Sequence, residues 1–290
     1  MSPTKDQLWT IRRLIQWGSD WLGRRGIENP RLDVELLLAD TLALTRMDLF
    51  LDMDRPLGPQ ELGAFKSRIK RRSQREPVAY IVGVRGFWQH DFQVDNSVLI
   101  PRPETETLVD SVLSLYPQVD TNLKILDLGI GSGAILLSLL TEFPNAVGVG
   151  VDISEDAIKI AEINRDKFKL EGRATLIVGD ITSQLSIDTK FNLIVSNPPY
   201  IVSNELDKLQ PEVKDKEPRL ALDGGKDGLD IYRPLIPHAY KLLESSGWLV
   251  VEVGYDQGQT VPDLFKQAGF KDVSVVKDYG QRDRVVKGIK

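Results

Sequence analysis

The chain has no cysteine and only two histidines, His90 and His238. Without thiols there is no disulfide framework, no thiolate nucleophile and no cysteine-based metal site. Two histidines cannot supply a His-rich metal site either, so a metal-free reaction is expected. No apolar run approaches the ~20 residues that span a bilayer, and no membrane partner is expected. The opening segment MSPTKDQLWT lacks the apolar core of a secretory signal and the Arg-rich, acid-poor character of a transit peptide. These absences together predict a cytoplasmic protein. A basic excess is missing as well: the formal charge is -5, where broad nucleic-acid binding leaves a basic footprint. No stable nucleic-acid partner is expected.

The charge that is present is unevenly placed. Residues 1–90 hold 15 Lys and Arg against 11 Asp and Glu, and the remainder holds 22 against 31. Most of the basic excess lies in Lys66, Arg68, Lys70, Arg71, Arg72 and Arg75. Such a run is either a solvated helix face or a docking patch for an acidic partner or RNA. The apolar rhythm divides the chain too. Residues 5–75 read as a small helical bundle, with Leu8, Ile11, Leu14 and Ile15, then Val34, Leu37, Leu38 and Leu42, at helical spacing. From about Val78 to Ile100 aromatic and β-branched residues shorten the pattern, and Gly83 and Gly86 suggest the turns of a β-hairpin.

From Leu123 onward, short apolar runs alternate with helical segments. Lys124–Leu128, Val147–Val151, Thr175–Val178, Asn192–Val195 and Trp248–Val253 read as buried strands, and Glu155–Leu170 as a helix capped by Ser154. Val273–Val276 and Arg284–Lys287 look like two final strands. This alternation predicts an α/β fold: an open parallel sheet with helices on both faces. In such sheets ligands bind beyond the carboxyl ends of the strands. The first strand here runs into Gly129-Ile130-Gly131-Ser132-Gly133-Ala134, a turn in which a ligand can touch backbone. The second ends at Asp152, 21 residues beyond Gly131, where a carboxylate can accept from ribose hydroxyls. These features serve a nicotinamide cofactor and S-adenosylmethionine equally well. At the end of the third strand, Asp180 can accept from an adenine amino group while Ile181 packs on the ring.

The fourth strand leads into Asn197-Pro198-Pro199-Tyr200. Two prolines fix two backbone dihedrals and remove two donors. What remains is a stiff loop presenting acceptors, the Asn197 side-chain oxygen and the Pro198 carbonyl, to a substrate that offers an NH2 group. Tyr200 supplies a flat face for a planar amide or base. An amide nitrogen is a poor nucleophile because its lone pair is delocalised. Accepting both of its hydrogens turns that lone pair toward an electrophilic methyl, and positioning then supplies much of the rate.

On these residues the chain resembles the peptide chain release factor glutamine methyltransferases. The likeness runs through RLDVELLLA (31–39), PVAYIVG (77–83), SVLIPRPETE (97–106), DLGIGSGAI (127–135), VSNPPYI (195–201), EPRLALDGG (217–225) and GQRDRVV (280–286). It implies a helical substrate-docking domain over residues 1–76, a β-hairpin linker over 77–100 and a seven-stranded, Rossmann-like class I methyltransferase domain over 101–290. It implies S-adenosylmethionine as methyl donor, and release factors as partner through the glutamine of their Gly-Gly-Gln motif. Gly129, Ile130, Gly131, Ser132, Gly133 and Asp152 would hold the cofactor, with Asp180 or Ile181 at its adenine. Asn197, Pro198, Pro199 and Tyr200 would hold the glutamine amide, with Asn197, Pro198 and Tyr200 as the catalytic group and Asn197 also touching cofactor. Arg102 and Glu104 would belong either to a lid or to a structural salt bridge. Ile130 departs from the resemblance, because the family commonly has Thr between the first two glycines; a modest loss of cofactor affinity is expected. Trp88-Gln89-His90 also departs from a small-residue turn, and His90 is expected to be an exposed turn residue.

Three rivals share some of these features. An amino-group methyltransferase acting on adenine or guanine uses similar Asn/Asp-Pro-Pro-aromatic motifs, but its substrate-binding half should be basic. A nicotinamide oxidoreductase leaves Asn-Pro-Pro-Tyr without a role. A non-catalytic sensor of S-adenosylmethionine would not need Asn197 and Tyr200.

Overall fold

The computed structural model describes residues 8–183 and 189–290. The described chain divides into two compact units, one up to Gly83 together with Gln210–Lys216, the other Val84–Leu209 with Glu217–Lys290. Residues 5–7 of the predicted bundle lie outside the described residues.

The first unit is helical: α1 (Ile11–Gly23), α2 (Pro30–Leu42), α3 (Arg46–Leu51), α4 (Pro59–Ser73), α5 (Val78–Val82) and the single turn α9 (Pro211–Lys214). Local chemistry sets the starts. Thr10 and Thr45 accept first-turn N–H groups of α1 and α3, and α2 and α4 begin on proline, whose missing donor costs nothing there. The apolar stripes meet in one core of Ile11, Leu14, Val34, Leu37, Leu38, Phe65 and Ile69. Gly18 allows the close approach of α1, since a Cβ there would stand 2.8 Å from Val34 and 2.9 Å from Ile69. Residues 78–82 differ from the extended reading. Pro77 opens and left-handed Gly83 (φ 81°) closes a helical turn whose Tyr80 and Ile81 are buried, so turn residues at both ends outweigh β-branching.

The basic run on α4 is mostly spent inside this unit. Arg68 pairs with Asp40 at 2.6 Å, Arg71 with Glu76 at 2.5 Å, and buried Arg72 with both Asp33 at 2.6 Å and Glu212 at 2.9 Å. Arg75 reaches Glu212 at 3.1 Å and donates to the Arg25 and Gly26 carbonyls. Lys66 and Lys70 stay exposed.

The second unit opens with the antiparallel hairpin β1 (Val84–Phe87) and β2 (His90–Gln93). Its turn puts Trp88 at φ 54°, a conformation most side chains avoid. Trp88 is held there by two carboxylates: its N–H donates to Glu106 at 2.8 Å and its indole Nε1 to Glu142 at 2.6 Å. His90 is half-buried rather than exposed, 3.0 Å from the Thr141 hydroxyl and packed on Phe168. The main sheet has seven strands: β3 (Lys124–Leu128), β4 (Val147–Asp152), β5 (Ala174–Val178), β6 (Phe191–Ser196), β7 (Leu243–Glu252), β8 (Lys271–Lys277) and β9 (Asp283–Ile289), in the order β5-β4-β3-β6-β7-β9-β8. β3 to β7 are parallel, but β9 runs antiparallel to both β7 and β8, so the sheet is mixed. The few residues between β8 and β9 cannot form the crossover that a parallel pair requires.

Successive strand residues face opposite sides and feed two cores. Ile125, Leu193 and Val250 meet α6 (Glu106–Leu115), α7 (Ala134–Glu142) and α8 (Glu155–Lys167). Leu126, Ile194, Leu249 and Val251 meet α10 (Tyr232–Leu242) and α11 (Thr260–Ala268). Ser154 caps α8 as read from the sequence, but the helix stops at Lys167, and Lys169 takes the left-handed conformation (φ 60°) before Gly172 is reached.

Candidate active site

The parallel strands end on one edge. β3 leads to the glycine loop, β4 ends at Asp152, β5 leads through Gly179 to Asp180, and β6 leads into Asn197. Around them is a cavity of about 350 Å³, within the range that holds small-molecule ligands. Its walls include Gly129, Ile130, Gly131, Ser132, Asp152, Asp180, Ile181, Asn197 and Pro199. Gly133, Pro198 and Tyr200 are not among them. Gly133 instead caps α7, with a would-be Cβ only 2.7 Å from Leu137. Pro198 is buried, and Tyr200 turns its hydroxyl toward β7.

Gly129 (φ 82°) and Gly131 (φ 54°) need the left-handed region, and a Cβ at Gly131 would meet nothing within 4 Å. Backbone is therefore open to a ligand at that point. The Gly131 N–H donates to Asp152 Oδ2 at 2.9 Å and the Ser154 N–H to Oδ1 at 3.0 Å. A carboxylate has about four acceptor sites, so Asp152 keeps acceptor capacity for a ribose hydroxyl. Burial raises the Asp152 pKa, and the N–H donors of Ser154, Gly131 and Ile153 oppose it. Asp180 Oδ1 is engaged by its own turn, accepting from the Thr182 N–H at 2.8 Å and hydroxyl at 2.6 Å, which holds its pKa below the usual carboxylate range. Ile153 and Ile181 add apolar wall. Open backbone, a carboxylate with spare acceptors and aliphatic walls are a donor set that fits a nucleoside.

Ile130 has a packing role. It is 4% exposed, and a Cβ on Gly150 of β4 would stand 2.1 Å from its Cδ1. The Ile130 side chain fills the space that Gly150 leaves, and its partner is the sheet. Ser132 is tied to the hairpin through Asn164, fully buried on α8, which donates to the Ser132 and Gln93 carbonyls and accepts from the Gln93 N–H.

The remaining wall joins two segments far apart in sequence, Ser97–Arg102 and Pro218–Ala221. Glu217, whose side chain is 1% exposed, pairs with Arg102 at 2.6 Å and accepts from the Ile100 N–H at 3.2 Å. Arg102 is thus both cavity wall and salt-bridge partner. At the Asn-Pro-Pro-Tyr loop, Asn197 Nδ2 donates to Thr105 Oγ1 at 3.3 Å, and Oδ1 has no protein partner among the described residues. Tyr200 donates to Glu252 Oε1 at 3.2 Å, and the Tyr232 hydroxyl donates to the Glu252 carbonyl at 2.7 Å. Gly224 lies against the Tyr200 backbone, where a Cβ would stand 2.7 Å from the Tyr200 Cα. The EPRLALDGG segment therefore shapes the same loop. Thr105, Glu217 and Glu252 escaped the sequence reading as site residues. The first two sit inside the quoted segments, and Glu252 ends an apolar strand as an unremarked carboxylate.

Residues 13–83 match the PrmC N-terminal domain family, and residues 119–268 a methyltransferase domain family. The chain is 44% identical to a release factor glutamine methyltransferase of Geobacter sulfurreducens, covering 98% of each chain. It is also 44% identical to one of Caulobacter vibrioides, covering 100% of this chain and 98% of the relative. A solved methyltransferase from Pyrococcus furiosus shares the fold with a TM-score of 0.51 at 16% identity, covering 78% of this chain and 97% of that one. With both domains matched and relatives of this identity aligned along almost the whole length, the chain belongs to the release factor glutamine methyltransferase family.

Proposed function

We propose that this protein transfers a methyl group from S-adenosylmethionine to the side-chain amide nitrogen of the glutamine in the Gly-Gly-Gln motif of peptide chain release factors. The observation that carries the reading is Asn197: its NH2 is engaged by Thr105, and its oxygen is left as an acceptor in the wall of the cavity. An acceptor held in that way suits a substrate NH2. When bound, S-adenosylmethionine supplies a methyl group on a sulfonium centre that needs no further activation. The chain's own contribution is orientation. Gly129, Gly131 and Asp152 hold the nucleoside, Asp180 and Ile181 border the adenine, and Asn197 takes one amide hydrogen while the Pro198 carbonyl takes the other. Drawing on both hydrogens turns the nitrogen lone pair out of conjugation and toward the methyl, so that proximity does the rest. No base is needed beforehand, because the amide proton becomes acidic only after transfer. The helical unit is the docking module for the release factor, which places the work in the cytoplasm, where translation terminates.

The test is transfer of labelled methyl from S-adenosylmethionine to purified release factor, beside a factor whose target glutamine is alanine and an RNA or DNA control. Label on the unaltered factor alone is expected. Label on nucleic acid would favour an adenine or guanine amino-group methyltransferase, and label on the alanine factor would move the target residue.

A further inference from the structure

Gln257 stands in the turn between β7 and α11, 6% exposed and not a wall of the cavity. Its side chain joins three stretches of backbone. Oε1 accepts from the Gly254 N–H at 2.9 Å, and Nε2 donates to the Gly228 carbonyl at 3.0 Å and to the Tyr200 carbonyl at 3.3 Å. A primary amide offers two hydrogens at one end and an acceptor at the other, and here both hydrogens are used. An N–H facing one end and two carbonyls facing the other fix which way round the amide sits. Gly228 makes room for the pairing, since a Cβ there would stand 2.5 Å from the Tyr200 carbonyl oxygen and 2.7 Å from Gln257 Nε2.

We propose that Gln257 is a positioning residue for methyl transfer, acting from behind the Asn-Pro-Pro-Tyr loop to hold Asn197 at the cavity. The proposal rests on the function proposed above and adds what keeps the amide acceptor in place. Between Asn197 and Tyr200 lie only Pro198 and Pro199, whose rings fix φ. A stake at the Tyr200 carbonyl is therefore carried to Asn197 through a stiff link, where a flexible one would absorb it.

The loop has other backbone partners, but they belong to a second loop. The Ile201 N–H donates to the Leu222 carbonyl at 3.0 Å, the Gly224 N–H to the Ile201 carbonyl at 2.8 Å, and the Ser203 N–H to the Gly225 carbonyl at 2.9 Å. These bonds tie the two segments to each other. Gln257 grips the first at Tyr200 and the second just beyond its end, at Gly228, and fastens both to Gly254, two residues past β7. Its own backbone is held on both sides: its N–H donates to the Gly254 carbonyl at 2.9 Å, and its carbonyl accepts from the Val261 N–H at 3.1 Å. The Tyr200 hydroxyl reaches Glu252 and steadies the ring, while Gln257 steadies the peptide. The sheet that presents the cofactor edge thus also sets the register of the substrate loop.

The experiment follows single-turnover transfer of labelled methyl to whole release factor by the full-length protein. Gln257→Glu keeps the shape and the acceptor for Gly254 but sets a carboxylate oxygen against two carbonyls. It should lower the rate by at least about tenfold, given that misplacement by an ångström can cost about a hundredfold. Its affinity for S-adenosylhomocysteine should stay within about threefold. The second arm makes the same substitution in Asn197→Ala protein. If Gln257 works by holding Asn197, nothing remains to be held, and the residual rate should change by less than about threefold. A merely structural role would cut the rate by the same factor in both backgrounds. Should Gln257→Glu fail to fold, as read by its melting temperature, Gln257→Met, uncharged and of similar length, replaces it in both arms. A smaller loss in the first arm, a larger one in the second, or S-adenosylhomocysteine affinity falling in step with the rate overturns the proposal. Unaltered protein that binds S-adenosylhomocysteine but leaves the factor unlabelled removes the proposed function, and this proposal with it.

Discussion

The two units differ in how far arginine neutralises their buried acids. In the helical unit each is met by guanidinium. Burial pushes Glu35 and Glu212 up, but Arg31 and Arg46 for the first, and Arg72 and Arg75 for the second, bring them below the usual carboxylate range. Only Asp33 stays raised, because its burial outweighs Arg72. In the methyltransferase unit Glu217 and Asp278 also have arginine partners, but Asp127, Asp152 and Glu252 have N–H groups or hydroxyls as direct partners. All three are raised, Asp127 to about 7 and Glu252 to about 6. Arginine pairs hold a shape, whereas acids without a direct cation partner remain available to a ligand or to a hydrogen-bond chain.

The largest effect that would sharpen this contrast is on chemistry. Asn197→Ala should lower turnover by about 10²–10³-fold, the loss typical of one oriented polar group at a reacting centre, with a far smaller change in cofactor affinity and melting temperature. Near-normal turnover would remove Asn197 from the reaction. Next comes stability. Arg72→Ala leaves Asp33 and Glu212 without their shared cation and should cost about 3 kcal/mol by urea denaturation; a change below about 0.5 kcal/mol would make the pairing in the helical unit incidental. The smallest effect is on pH dependence. The folded state favours protonated Asp127, so its stabilising contribution is complete below about pH 4 and is lost as pH rises through about 7. Asp127→Asn should therefore gain stability over unaltered protein across that window, by about 1–3 kcal/mol. A difference that does not vary with pH would mean that Asp127 titrates normally.

The sheet and the cavity floor were legible because both are written in short stretches. An apolar run ending in glycines or a carboxylate marks a strand and its ligand edge, as in Asp127–Ala134 and Asp152. What escaped depends on partners far apart in the chain. Arg72 and Glu212 are 140 residues apart, Asn197 and Thr105 are 92 apart, and Tyr200 and Glu252 are 52 apart. Pattern alone sees a basic helix face, a threonine and a strand-end glutamate. The packing of Ile130 was hidden for a similar reason: its counterpart is the missing side chain of Gly150 on the next strand.

The membership of residues 210–216 in the helical unit bears on how the protein can be taken apart. The polypeptide passes between the units at 83/84, at 209/210 and at 216/217, so they are stitched by three covalent crossings rather than hung on one tether. A truncation that starts the chain after Gly83 would not excise a module. It would strip α9 of Arg72 and Arg75 and leave Glu212 to find new solvation. A clean dissection has to shorten that excursion as well as remove the N-terminal helices, and a fragment made by a single cut would report on the wound as much as on docking.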